Sequence, residues 1–164
     1  MVSNPKILPF AITQEVRDTC LCLHLQRAAR AVARRFDEVL RPLGLTNGQF
    51  SLLMSLNRPE PPTIGSVSAL LAMDRTTLTA ALKPLERRRL VKVKIDAEDR
   101  RSRRLILTPA GRTLLAAAVP IWRQEHAAID RLLIGADPDR SNPDRLNPDR
   151  PNPDRLRTGL RALA

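Results

Sequence analysis

Residues 74–108 read DRTTLTAALKPLERRRLVKVKIDAEDRRSRRLILT, and the first half of this stretch predicts a helix. Asp74 is a residue type that favours the N-cap position of a helix. The apolar residues that follow recur at steps of three and four, which is typical of a helix with one buried face. They are Leu78, Ala81, Leu82 and Leu85.

The second half of the stretch predicts a basic β-hairpin. Residues 91–95 alternate apolar and basic side chains, and residues 104–108 are rich in branched ones, so the two runs are typical of paired strands. Their connection is mostly charged. Between Lys83 and Arg104 there are ten Lys or Arg residues against four acidic ones, so most of the net charge of +11 lies in this segment.

A short helix precedes the stretch, and the three parts together predict a winged helix-turn-helix. Thr63 favours the N-cap of a helix that continues to Leu71, and a tight turn at Met73–Asp74 leads into the next helix. In this fold, Thr and Arg side chains at the start of the second helix reach base edges in the major groove. Basic residues at the hairpin tip lie along the DNA backbone or enter the minor groove.

The rest of the sequence predicts a mainly α fold. A long first helix is expected from Val16 to about Leu43, and a second helix is capped by Thr46. The helices capped by Thr63 and Asp74 are then the third and fourth, and a fifth is expected from Pro109 to about Leu133. The winged module is too small to bury the apolar faces of both long helices, so a homodimer is expected. The predicted organisation is an N-terminal arm (1–15), a winged helix-turn-helix DNA-binding domain with a two-stranded β-wing (44–108), and a helical dimerisation region (16–43 and 109–164).

A pentapeptide of the form x-Asn/Asp-Pro-Asp-Arg occurs four times in residues 136–155. One proline in every five residues argues against a helix or an inner strand. The repeat is interpreted as a loop expanded by duplication, because lengthening a loop about fourfold costs only about 1.2 kcal/mol of closure entropy. A neutral spacer and a contact surface both fit this interpretation. A final short helix is expected after it.

The pI is near 11.3, so the composition favours a polyanionic partner, and duplex DNA is the first such partner to consider. No apolar run approaches the roughly 18 residues of a spanning helix, and residues 1–15 lack the pattern of a signal peptide. A cytoplasmic protein without a membrane partner is therefore expected. The sequence contains no catalytic constellation, phosphate loop or metal motif, so neither enzyme activity, a cofactor nor a metal is expected.

Two cysteines, Cys20 and Cys22, lie in the predicted first helix. They could bridge each other only if that helix unwound, so both are expected to be reduced thiols. His24 completes a C-x-C-x-H run, but Cys22 would point away from the helix face that Cys20 and His24 share, so one metal ion could not bind all three.

The segments LTAALKPLERRRLV at 78–91 and DRRSRRLILTPAG at 99–111 resemble the MarR family of bacterial transcription regulators. The resemblance extends from about Leu21 to Leu133. It implies an obligate homodimer that binds pseudo-palindromic operators in adjacent major grooves and represses transcription until a small ligand or an oxidant releases it. It also implies that Asp99 and Arg101 brace the wing, with Arg101 near the minor groove.

Particular residues of the recognition helix and the wing have expected roles in DNA binding. For contacts to bases or the nearby backbone we expect Arg75, Thr76, Thr77 and Thr79. For phosphate contacts we expect Lys83, Arg100, Arg103 and Arg104. A cleft for a small aromatic effector would be bordered by Phe50, Met54 and Trp122, although core packing is the other interpretation of these three.

Two alternatives and one departure from the family pattern complete the expectations. Cys22 lies near the reactive cysteine of the family's peroxide sensors, so a redox sensor of the same fold is one alternative, although the chain lacks the tyrosines those sensors use. A nonspecific architectural DNA-binding protein is the other. Arg89 stands where the family usually has glycine, at a position that often needs a left-handed backbone.

Overall fold

The computed structural model describes residues 8–97, 99–135 and 152–162. These residues form seven α-helices, one short 3-10 helix at Arg41–Leu43 and one two-stranded sheet. The helices are α1 (Phe10–Thr19), α2 (Leu21–Leu40), α3 (Asn47–Ser55), α4 (Ile64–Leu70), α5 (Arg75–Arg87), α6 (Pro109–Gly135) and α7 (Pro153–Arg161), and the strands are β1 (Val91–Ile95) and β2 (Arg103–Leu107). This is the expected mainly α fold with a two-stranded wing.

Side-chain caps begin the helices of the winged module where the sequence predicts them. Thr46 forms a capping box with Gln49 at the start of α3. Thr63 accepts a hydrogen bond from the Ser66 N–H at α4, and Asp74 accepts one from Thr77 at α5. These local signals set the helix boundaries because each side chain satisfies a backbone N–H that has no partner inside the helix.

The core lies between the winged module and the long helices α2 and α6. Strands β1 and β2 are antiparallel, with Val91 opposite Leu107. Leucines from each layer are completely buried, so the helices and the sheet share one apolar core; they include Leu40, Leu53, Leu78, Leu85 and Leu105. No helix among the described residues is long and apolar enough to cross a membrane.

The N-terminal region differs from the expectation of an arm followed by one helix from Val16. Residues 10–15 already belong to α1, and the chain breaks at Cys20, whose φ of −70° and ψ of 104° are extended. The Thr19 hydroxyl donates to the Glu15 carbonyl at 2.8 Å, and the His24 ring Nε2 lies 3.2 Å from the Asp18 carbonyl oxygen. The Asp18 carbonyl is one of the last four of α1, which have no partner inside that helix, so the His24 contact favours ending the helix there.

The last unit of the pentapeptide repeat also differs from the expectation, because part of it is helical. The first three units and residue 151 lie outside the described residues, but the last unit contributes the start of α7. Asn152 is the N-cap and accepts from the N–H of Asp154 and Arg155, and Pro153 is the first helical residue. Proline is compatible with this position because the N–H it lacks would have no helical partner. The prediction that the repeat is a loop and that the final helix begins only after it is therefore wrong for residues 153–155.

Arg89 has the left-handed backbone that its position predicts, with φ of 57°. We expect Arg89→Gly to raise the free energy of unfolding by about 1 kcal/mol, because glycine adopts this conformation without a Cβ clash. Chemical denaturation at fixed pH measures the change. Arg87→Gly is the matched control: Arg87 is the last residue of α5, where glycine should instead lower the free energy of unfolding, by less than the cost of about 1 kcal/mol in a helix interior. A lower unfolding midpoint for Arg89→Gly would contradict the prediction.

Candidate nucleic-acid interface

The turn between α4 and α5 fixes how α5 is presented to the surface. Ala72 takes a left-handed conformation with φ of 50°. The Ser68 hydroxyl donates to the Met73 carbonyl at 2.6 Å, which holds the turn from inside. A Cβ built on Gly65 would lie 3.3 Å from Arg75 Nη2, so the Arg75 guanidinium lies over α4. These contacts join α4 and α5 into one rigid helix-turn-helix unit.

The outer face of α5 carries an outward stripe of four exposed residues, Thr76, Thr79, Ala80 and Lys83. Their spacing of three, four and seven residues places them on one side of the helix, opposite the buried leucines. Two of the expected DNA contacts, Arg75 and Thr77, are also exposed but flank this stripe. Ala80 also belongs to this stripe. The sequence did not predict a DNA contact for it, because alanine has no polar group that would indicate one.

Hydrogen bonds inside α5 engage two of its threonine hydroxyls. The Thr77 hydroxyl donates to Asp74 Oδ2 at 2.6 Å, and the Thr79 hydroxyl donates to the Arg75 carbonyl at 2.7 Å. The first of these bonds, together with the Thr77 N–H, holds the pKa of the Asp74 carboxyl below its ordinary value. The cap is therefore charged at neutral pH.

The wing is attached to the loop before α4 through Arg104. Its guanidinium pairs with the carboxylate of Asp96, which is buried, and its Nη1 donates to the Pro61 carbonyl at 3.1 Å. The Leu105 N–H donates to the Pro62 carbonyl at 2.9 Å. Arg104 thus contacts the Asp96 carboxylate and the Pro61 carbonyl of its own chain. The sequence predicted a phosphate contact for Arg104 and did not predict Asp96 as its partner.

At the wing tip, internal contacts involve the Asp99 carboxylate and the Arg103 side chain. Asp99 Oδ1 accepts from the Arg101 backbone N–H at 2.9 Å, and Arg103 Nη1 donates to the Arg100 carbonyl at 2.9 Å. The side chains of Arg100 and Arg101 are exposed and make no hydrogen bond or ion pair with the described residues. The tip therefore presents two guanidiniums that remain available for an external anion.

Arg88 connects the end of α5 to the end of α2 and was not among the expected functional residues. Its Nη1 donates to the Gly44 carbonyl at 2.6 Å, and its Nη2 donates to the Leu43 carbonyl at 3.4 Å. Gly44 follows the short turn of helix at Arg41–Leu43 with φ of 63°. A cation at these carbonyls is favourable because the C-terminal end of a helix is electronegative. In the sequence Arg88 is the middle one of three consecutive arginines, and nothing there indicates that it differs in role from its neighbours.

An aromatic cluster, Phe36, Phe50, Trp122 and His126, lies between α2, α3 and α6. Phe50 stacks on Trp122 with ring centroids 6.2 Å apart, and His126 meets Trp122 edge-on at 4.8 Å. His126 Nδ1 is buried and has no hydrogen-bond partner among the described residues, with an Asp130 oxygen 3.7 Å away. Met54, the third residue of the expected cleft, is exposed.

The cysteines lie where the first two helices meet. Cys20 is half-buried in the break, and Cys22 is exposed, with the Gln26 Nε2 donating to its sulfur at 3.2 Å. Because Cys20 is not in a helix, the expected helical barrier to a bridge with Cys22 is absent. Within the described parts of the chain, no group of three or more His, Cys, Asp or Glu residues could hold a metal ion.

Comparison with known sequences identifies transcription regulators. The MarR family model matches residues 45–102. The organic hydroperoxide resistance transcriptional regulator of Bacillus subtilis is 33% identical over 101 residues, which are 62% of this chain and 69% of that protein. The HTH-type transcriptional regulator SarZ of Staphylococcus haemolyticus is 30% identical over 91 residues, or 56% of this chain and 62% of that protein.

Solved structures of regulators share the fold over most of the chain. The M. tuberculosis transcriptional regulator MosR in complex with DNA is 34% identical, with a TM-score of 0.71, 88% of this chain covered and 92% of that one. The transcriptional repressor CouR bound to a 23-mer DNA duplex is 28% identical, with a TM-score of 0.71 and coverage of 96% and 99%. Together with the capped helix-turn-helix, the wing and the basic tip, these similarities establish that the chain belongs to the MarR family of winged-helix transcription regulators.

Proposed function

We propose that this regulator is a cytoplasmic homodimer that binds a pseudo-palindromic operator, with α5 of each subunit in the major groove and each wing tip at the minor groove, and represses transcription. The observation that carries the proposal is the combination of the outward stripe on α5 with the free guanidiniums of Arg100 and Arg101. Regulators of this kind, and not enzymes, are what the chain resembles in sequence and structure.

The proposed dimer is supported by large apolar side chains that one subunit leaves exposed. They lie on α1, at the start of α2, at the end of α6 and on α7, and a second copy would remove them from water. They include Phe10 at 71%, Val16 at 51%, Leu21 at 62%, Leu132 at 57% and Leu156 at 47% exposure. This supports the division of the chain into a DNA-reading module and a helical dimerisation region.

The proposed phosphate contacts predict a change in salt dependence. Replacing Lys83 or Arg100 by glutamine should weaken binding to all duplexes alike and reduce the slope of log affinity against log salt by about 1.8, because each dimer loses two phosphate contacts. Fluorescence anisotropy at several salt concentrations measures the slope. Arg30→Gln, an exposed arginine on α2, is the control and should leave the slope unchanged.

Sequence specificity separates this proposal from an architectural DNA-binding protein. A duplex selected by the protein from a random pool should bind at least about 10³-fold more tightly than unselected duplex at the same salt concentration. Equal affinities for selected and unselected DNA would contradict the proposal and favour the architectural alternative.

We propose that the aromatic cluster binds a small aromatic acid that releases the regulator from DNA. Phe50 is buried in the core and its ring stacks on the half-buried Trp122, and the unpartnered His126 Nδ1 supplies a polar atom beside these apolar rings. Trp122 is the single tryptophan of the chain, so its fluorescence reports binding directly. Titration with benzoate should quench this fluorescence and weaken operator binding; unchanged fluorescence and unchanged operator affinity would count against this effector class.

Oxidation is the second candidate for release, favoured by the exposure of Cys22 and by the extended backbone at Cys20. A hydroperoxide would oxidise the Cys22 thiolate to a sulfenate and be reduced to the alcohol. Once the sulfenate takes up a proton from water to become the sulfenic acid, the Cys20 thiol could condense with it to form a disulfide, releasing water. Treatment with cumene hydroperoxide should release operator DNA from the natural chain and not from Cys22→Ser. Persistent binding of the oxidised natural chain would exclude this candidate.

A further inference from the structure

The centre of the outward stripe is apolar, although the stripe faces a polar ligand in the proposed function. Ala80 offers only a methyl group. The single hydroxyl proton of Thr79 is already donated to the Arg75 carbonyl, so this side chain has no proton left for a base. The groups available from these two neighbouring residues are therefore two methyl groups and one hydroxyl oxygen that can only accept a hydrogen bond.

The other positions on α5 frame this apolar centre with polar groups. The Thr76 hydroxyl makes no hydrogen bond within the described residues and can donate or accept. Lys83 lies one turn after Thr79 and carries a cation. Thr77 is turned to the cap, where its hydroxyl donates to Asp74. An edge that complements this arrangement has an apolar group at its centre and polar groups beside it.

In the major groove of DNA one base offers such a group, because thymine carries a methyl at C5 that packs against Ala and against the methyl of Thr. We propose that Thr79 and Ala80 determine specificity by contact with thymine 5-methyl groups near the centre of each half-site. The proposal rests on the proposed operator binding and specifies which chemical group of the operator is read. Thr76 is then the hydrogen-bonding member of the stripe, and Lys83 contacts the backbone.

Deoxyuridine provides a direct test, because it keeps the base-pairing edge of thymine and lacks only the 5-methyl. A duplex is first selected by the protein from a random pool, and its thymines are then replaced by deoxyuridine one position at a time. At one or two positions in each half-site we expect an affinity loss of about fourfold, the value for one buried methyl-sized group. The salt slope should not change, since no phosphate contact is altered.

Variants of Thr79 assign the contact to the protein. Thr79→Ser removes the methyl and keeps the hydroxyl that donates to the Arg75 carbonyl, so it should abolish the preference for thymine over deoxyuridine at one position. Thr79→Val keeps a methyl and should retain the preference. Thr113→Ser is the matched control, because the Thr113 hydroxyl also donates to the carbonyl four residues earlier, at 3.1 Å, but lies on α6.

The outcomes separate this inference from the proposed function. If every deoxyuridine duplex binds within twofold of the selected duplex, the methyl contact is overturned while specific DNA binding stands. If Thr79→Ser keeps the full preference, the assignment to Thr79 is overturned. If no duplex is selected over random DNA, the proposed function itself fails.

Discussion

Replacing Gly111 by alanine is expected to lower the free energy of unfolding by about 3 kcal/mol, because the added methyl has no room. Gly111 is buried in the first turn of α6, and a Cβ built there would lie 2.3 Å from the Leu90 carbonyl oxygen and 2.8 Å from Leu107 Cδ1. The Leu90 carbonyl cannot easily move away, since it also accepts from the Thr108 N–H at 3.0 Å. Thermal and chemical unfolding measure the loss.

Gly48→Ala is the matched control for this prediction. Gly48 lies near the start of α3, and a Cβ there would meet nothing within 4 Å. Alanine should therefore stabilise the protein by about 0.5–1 kcal/mol, because it favours a helix more than glycine does. Similar melting temperatures for Gly111→Ala and Gly48→Ala would show that the wing end and α6 are not packed as described.

Replacing Arg104 by methionine is expected to lower the free energy of unfolding by about 2 kcal/mol. This is less than the cost of breaking a fully buried ion pair, because the Arg104 side chain is partly exposed. The change removes the Arg104 guanidinium from the Asp96 carboxylate, which is 8% exposed. It also removes the hydrogen bond to the Pro61 carbonyl, so the wing loses a link to the loop before α4.

The neighbouring exposed residue offers a control for this second prediction. Arg103→Met removes a guanidinium from the same strand, and that group donates only to carbonyls of the wing itself among the described residues. Its effect on unfolding should stay below about 1 kcal/mol. In addition, Asp96→Asn should reduce the cost of Arg104→Met, since the buried group would no longer carry a charge. Equal costs for the two arginine variants would contradict the structural role of Arg104.

Local sequence signals predicted the winged module well, because the boundaries of its helices depend on contacts between residues that are close together in the sequence. The caps at Thr46, Thr63 and Asp74 each accept from the N–H three residues later, so both partners are close together in the sequence. The left-handed backbone at Arg89 follows in the same way from its place after a helix. The break at Cys20 was missed because the contact of the His24 ring with the Asp18 carbonyl at the end of α1 gives only a weak signal inside a continuous helical pattern.

The sequence by itself determined the fold class, the order of the helices and strands from α2 onward, and the basic character of the surface proposed to meet DNA, since periodicity, capping and charge are properties of neighbouring residues. Only the tertiary structure decided which polar groups are already engaged. It placed Arg104 on Asp96 and Arg88 on the Gly44 carbonyl, which left Arg100 and Arg101 free at the wing tip. These pairings depend on residues brought together by packing, and a hydrogen-bonding group engaged inside the protein has less capacity left for DNA.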